Sequence, residues 1–167
     1  MVNFRVSFIH MNLTVHAAAG AIVAQYTGNP ILGFLYGLLS HILLDMIPHG
    51  DRAMYVKYKN KELSAQKAAA KTGLDAIIAI ILAVVFFNLP LPSSNLVLSM
   101  AIVGAIIPDV FIGMYELSLP RTPKFLKIIH KWHFKNHDLI AKKFDLSVKQ
   151  GLLFQIIIFL LLMRKIV

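Results

Sequence analysis

The sequence predicts an all-α fold: a polytopic membrane helical bundle of four to five spans with two basic cytoplasmic connectors, forming one domain over residues 1–167. Three observations carry this reading. The chain is 57% hydrophobic and 15% charged, with a mean hydropathy of +0.69, whereas soluble domains are nearer half apolar and a quarter charged. A chain this small has too much surface for its volume to hide such an excess. The apolar runs are continuous rather than alternating and too long for strands, and a lipid-exposed sheet edge is excluded. The basic residues lie between the apolar runs rather than within them.

The elements follow in order. Asn12 to Tyr26 is short and alanine-rich, and Thr27-Gly28-Asn29-Pro30 is a turn signal. Ile31 to Pro48 is apolar, with Gly33 and Gly37 spaced to let a neighbouring helix approach. Arg52 to Lys71 is a polar connector, helical near Ser64 to Lys71. Thr72 to Leu89 is the clearest span. Pro90 to Asn95 makes a stiff turn, and Leu96 to Leu117 is the next span. Ser118 to Gln150 is a long basic segment. Leu152 to Met163 is strongly apolar but shorter than the roughly 20 residues a crossing needs, so residues 152–167 tilt, cross thinly or lie at the interface.

Lysine and arginine set the orientation. The connector Arg52 to Lys71 carries six of them and Ser118 to Gln150 carries eight, while the turns at 27–30 and 90–95 carry none. Both connectors and the N-terminus are therefore expected on the cytoplasmic side. The net charge of +9 reads as attraction to membrane lipid with anionic headgroups. No basic stripe interleaved with aromatics marks a nucleic-acid surface. Cysteine is absent, which excludes disulfides and thiolate metal sites.

The chemical signal is positional. Asp45, His49, Asp51, Asp75, Asp109 and His16 fall toward the basic-connector ends of their segments, His130, His133 and His137 lie in the second basic segment, and the opposite turns contain no Asp, Glu or His. Ionisable groups in apolar spans are expensive and mark functional sites by default, and a divalent cation would compensate the burial of carboxylates. His41 and Asp45 are four apart and share a helix face. Pro48 ends or kinks that helix near Ile47, so His49-Gly50-Asp51 forms a turn over its end. Imidazole with carboxylate is a ligand set for a divalent metal, with Zn the first choice and Mn or Fe as alternatives. The competing reading has His41 hydrogen-bonded within the bundle and Asp45 paired with a loop lysine.

Other residues leave two readings open. Pro108 before Asp109 bends the helix and frees a carbonyl, or Asp109 is only a cap. Asp75 is either a proton acceptor or a carboxylate at a helix N-terminus. His130, His133 and His137 share one helical face beside Trp132 and Phe134, and an interfacial, headgroup-contacting helix is favoured over a metal role. His10, Glu62, Glu116, Asp138 and Asp145 read as solvated or interfacial.

His16-Ala17-Ala18-Ala19-Gly20, then Ser40-His41-x-x-x-Asp45 with Pro48-His49-x-Asp51, then Gly104-x-x-x-Pro108-Asp109, resembles the motif set of small prokaryotic inner-membrane proteins known as metal-dependent hydrolases, distantly like the zinc-dependent phospholipases. The resemblance spans roughly residues 14 to 115. It implies a multi-pass inner-membrane protein, with His16, His41, Asp45, His49, Asp51 and Asp109 as metal ligands. The expected function is a cytoplasm-facing metal-dependent hydrolase of a lipid or phosphoester. A metal-activated water would attack, and Asp75 would take the proton. The rivals are a non-catalytic membrane adaptor binding anionic lipid or a partner, and an ion or proton conduit, which would need polar groups across the full depth.

Overall fold

The computed structural model describes residues 11–49, 60, 62, 64–119, 121–141 and 146–166, without the side chains of residues 65, 68, 69, 137, 138 and 141. Among the described residues there are six helices and no strand: α1 (Leu13–Ala24), α2 (Pro30–Asp45), α3 (Ala65–Asn88), α4 (Asn95–Leu117), α5 (Lys124–Ala141) and α6 (Val148–Ile166).

The helix starts follow local chemistry. The Asn29 side chain accepts from the N–H groups of Ile31 and Leu32, with Pro30 in the first turn of α2, where its missing donor costs nothing. Ser64 and Ser94 cap α3 and α4 by accepting from Lys67 and Val97. The region near Ser64 to Lys71 and the apolar segment that follows it are thus one continuous helix.

Helix α1 is the centre of the bundle. Its residues 15–21 are all buried, and it packs against α2, α3, α4 and α6. A helix with apolar or small residues on every side has no solvent face to offer. The core around it is built from small side chains, with Ala17, Ala18, Ala21, Ala24, Ala79 and Ala101 alongside Phe86, Val97, Leu98 and Ile102. Small residues bring backbones together. A Cβ on Gly37 would strike the Ala101 carbonyl, one on Gly104 would strike the Phe34 carbonyl, and one on Gly20 would lie 2.8 Å from the Ile102 Cα. Helices α1 and α2 therefore lie directly on the backbone of α4.

The count of spans differs from expectation. Among the described residues, two helices are long and apolar enough to cross a membrane: α3 over Ala70–Asn88 and the whole of α4. With 12 and 16 residues, α1 and α2 are apolar but shorter. At 1.5 Å per residue they reach only about 18 and 24 Å, short of a hydrocarbon core about 30 Å thick. From Leu74 to Phe87 the surface of α3 is apolar, with Leu74, Ile77, Ile80, Ile81 and Val84 all more than half exposed.

Candidate metal centre

Four helices converge on one buried group. α1 brings His16, α2 brings His41 and Asp45, α4 brings Asp109 and α5 brings His133, and all five side chains are buried. The 3.6-residue period puts His41 and Asp45 on the inner face of α2, with Asp45 as that helix's last residue. The α2–α4 contact at Gly37 and Gly104 sets the depth at which they meet Asp109.

Asp45 stands in the middle. One of its oxygens, Oδ1, lies 3.2 Å from His16 Nε2. The other, Oδ2, lies 2.9 Å from His41 Nε2 and 3.6 Å from His133 Nε2. Its neighbours among the described residues are imidazoles, while most of the connector whose lysines were the alternative partners lies outside those residues. Asp109 completes the group, with Oδ1 3.8 Å from His41 Nε2 and Oδ2 3.9 Å from His16 Nε2. One ligand atom each from His41, Asp45, Asp109 and His133 lie within 4.8 Å of one another, and these four residues could hold a metal ion.

The His41 ring is oriented for this. Its Nδ1 donates to the Ala105 carbonyl at 2.7 Å. A carbonyl only accepts, so Nδ1 carries a proton and Nε2 is the ring atom that faces the carboxylates, the orientation that metal-ligating histidines favour. Pro108 lies within α4 one turn from Ala105. Nε2 of His16 and of His41 approach Asp45, yet neither makes a directed hydrogen bond there. Close donors and acceptors without hydrogen-bond direction suit a shared cation better than a closed hydrogen-bond network.

No family model, curated protein or solved structure matches this chain. The functional reading therefore rests on this geometry and on the motifs.

Of the residues singled out from sequence, His16, His41, Asp45 and Asp109 are brought together. His49 is buried in the turn after α2; its Nδ1 donates to the Ile47 carbonyl, and its own carbonyl accepts from Gln155 Nε2 at 3.0 Å. Asp51 lies outside the described residues, as does the side chain of His137. Asp75 is engaged elsewhere. It lies well inside α3, and its carboxylate accepts from the Leu13 N–H at 2.5 Å and the Thr14 Oγ1 at 2.6 Å, at the start of α1. A carboxylate at a helix N-terminus was one of its two expected placements, but the helix it caps is α1 rather than its own.

His133, for which the sequence favoured an interfacial helix over a metal role, is the fourth residue of the group that could hold an ion. The signal was present: His133 falls seven residues after Leu126, two turns along the same face, and both are buried. Glu116, read from sequence as solvated, is also buried, with the His130 Nε2 3.8 Å from its Oε1. His130 stacks on Tyr115 with ring centroids 3.9 Å apart. Desolvation holds its imidazole below the ordinary value.

Proposed function

We propose that this protein is a membrane-bound metal-dependent hydrolase acting on a lipid or phosphoester at the cytoplasmic surface of the inner membrane. The observation that carries the reading is the buried meeting of His41, Asp45, Asp109 and His133. Two carboxylates out of water cost several kcal/mol unless compensated, and a divalent cation is the strongest compensation at hand. A set of nitrogen and oxygen donors without sulfur suits zinc, with manganese and iron next. Once bound, such an ion supplies a Lewis acid and makes a water ionisable near neutral pH. The chain's own contribution is to hold the carboxylates in a dry pocket and to fix the His41 tautomer through Ala105.

The membrane part of the reading is supported by the two helices of crossing length and by α5. On α5, Phe125, Ile128, Trp132 and Leu139 are all exposed and fall within about 60° of one another on the helical wheel. Lys124, Lys131 and Lys135 form the neighbouring exposed stripe. An exposed apolar stripe beside lysines is the pattern of a helix lying in the interface, where the lysines attract anionic headgroups. His133 lies opposite the lysine stripe and about 110° round the helix from the apolar one, so α5 would connect headgroup contact to the metal centre. The motif resemblance to small inner-membrane hydrolases points the same way.

The test is metal content by mass spectrometry of the protein purified from membranes, alongside hydrolysis of phospholipid and model phosphodiesters. Bound zinc, manganese or iron is expected, with metal and hydrolysis lost together in His41→Ala and Asp45→Asn. The loss should exceed the roughly 10–100-fold typical of residues that only support ligands. Folded protein without metal would instead favour the non-catalytic adaptor. Ion flux through liposomes that depends on Asp45 would favour the conduit.

A further inference from the structure

We infer that the centre holds two cations rather than one, with His16 as the imidazole ligand of the second position and Asp45 and Asp109 bridging the pair. The inference rests on the metal reading above and extends it to a residue outside the four-residue group.

The geometry divides the five side chains into two sets. Each carboxylate directs one oxygen to each side. Asp45 Oδ1 and Asp109 Oδ2 face His16 at 3.2 and 3.9 Å. Asp45 Oδ2 and Asp109 Oδ1 face His41 at 2.9 and 3.8 Å. A carboxylate that shows different oxygens to two imidazoles is placed to bridge two ions.

The rings themselves exclude a single shared point. His16 and His41 are stacked, with centroids 4.1 Å apart and planes 27° from parallel. An imidazole lone pair lies in the ring plane, and a metal sits about 2.0–2.1 Å from the nitrogen. Planes so close to parallel do not converge within that distance, so the two Nε2 atoms aim at separate positions. The 4.1 Å between the ring centroids is close to the roughly 3.5–4 Å between ions in two-metal hydrolytic centres. His41 and His133 differ from this, with centroids 5.6 Å apart and planes at 46°, an arrangement that can share one ion. His16 supplies an independent observation. It is fully buried, and neither ring nitrogen has a hydrogen-bond partner among the described residues. A buried imidazole in that state is costly, and a cation at Nε2 removes part of the cost.

Two ions held by bridging carboxylates suit a phosphoester better than a carboxylic ester, because in-line displacement at phosphorus develops charge on both the attacking and the leaving oxygen.

The experiment uses the full chain in detergent, stripped by a chelator and titrated with Mn²⁺, followed by electron paramagnetic resonance. Wild type is expected to take up about two equivalents and to show an exchange-coupled spectrum, as ions about 3.5–4 Å apart do. His16→Ala, confirmed as folded by circular dichroism, is expected to keep one equivalent with an isolated Mn²⁺ signal. Wild type saturating at one uncoupled ion overturns the second position and leaves the metal centre standing. No uptake of Mn²⁺, Zn²⁺ or Fe²⁺ overturns both. Folded His16→Ala that loses all its metal assigns His16 to one shared site and overturns the two-ion arrangement. The wild-type stoichiometry decides the matter even if the variant does not fold.

Discussion

Asp75 shows how one carboxylate can serve a helix to which it does not belong. The first turn of α1 has orphan N–H groups and a positive dipole end, and its own N-cap residue, Asn12, makes no side-chain cap hydrogen bond. Asp75 fills that role across the bundle. Asp75→Asn should therefore lower stability by about 1–3 kcal/mol, seen as a drop in Tm, while metal content stays unchanged. Loss of hydrolysis at an unchanged Tm would return Asp75 to the role of proton acceptor. The histidines carry a second expectation. An imidazole must be unprotonated to bind metal, so protonation opposes binding and affinity should fall as pH drops. Calorimetric titration near pH 6 in two buffers should show proton release on metal binding, and its absence would count against imidazole ligation. At this scale the sequence made His41 and Asp45 legible, because four-residue spacing on a helix means a shared face. His133 was hidden because α5 offers two plausible inward faces, and its more apolar stripe is the one that points outward.

The elements themselves were mostly legible. Prolines, glycines and capping residues bound each apolar run, and the helices begin and end close to those signals. What hydropathy alone could not resolve was which runs form helices long enough to cross. α1 is apolar on all sides because it is enclosed by other helices, a state that has the same composition as immersion in lipid. The close contact of α2 with α4 is the element on which the centre depends. Gly104→Ala forces a methyl into the Phe34 carbonyl and should cost about 1–3 kcal/mol, together with loss of bound metal as His41 and Asp45 shift from Asp109. Gly73→Ala and Gly113→Ala are the controls. Nothing lies within 4 Å of a Cβ at either position, and Gly-to-Ala changes inside helices gain roughly 0.5–1 kcal/mol. α5 has its own test in the single tryptophan, Trp132, which is exposed. Its fluorescence should be quenched by phospholipids brominated near the headgroup end of the acyl chain. Quenching by aqueous iodide alone would place α5 away from the membrane.

Across the whole molecule, stability and the proposed function share one centre. Side chains from α1, α2, α4 and α5 meet there, so an ion that binds the assembled group and not the unfolded chain stabilises everything around it. Metal at 100 times its Kd would contribute about 2.7 kcal/mol, and a chelator should lower Tm accordingly in a thermal scan. The class of the molecule, helical and apolar, was legible from composition and from run length. The convergence of the polar groups was legible only as a tendency toward one end, because partners so distant in sequence leave no local signature. One such link reaches further than the centre itself. Gln155 on α6 accepts from the Asn12 N–H at 2.9 Å and donates to the His49 carbonyl at 3.0 Å, joining residues 143 and 106 positions apart. During synthesis, then, the earliest helix and the turn behind Asp45 leave the ribosome long before the amide that clasps them exists. Such distant closures come late in folding, so a nascent chain should gain its capacity to capture metal only once α6 has emerged and docked.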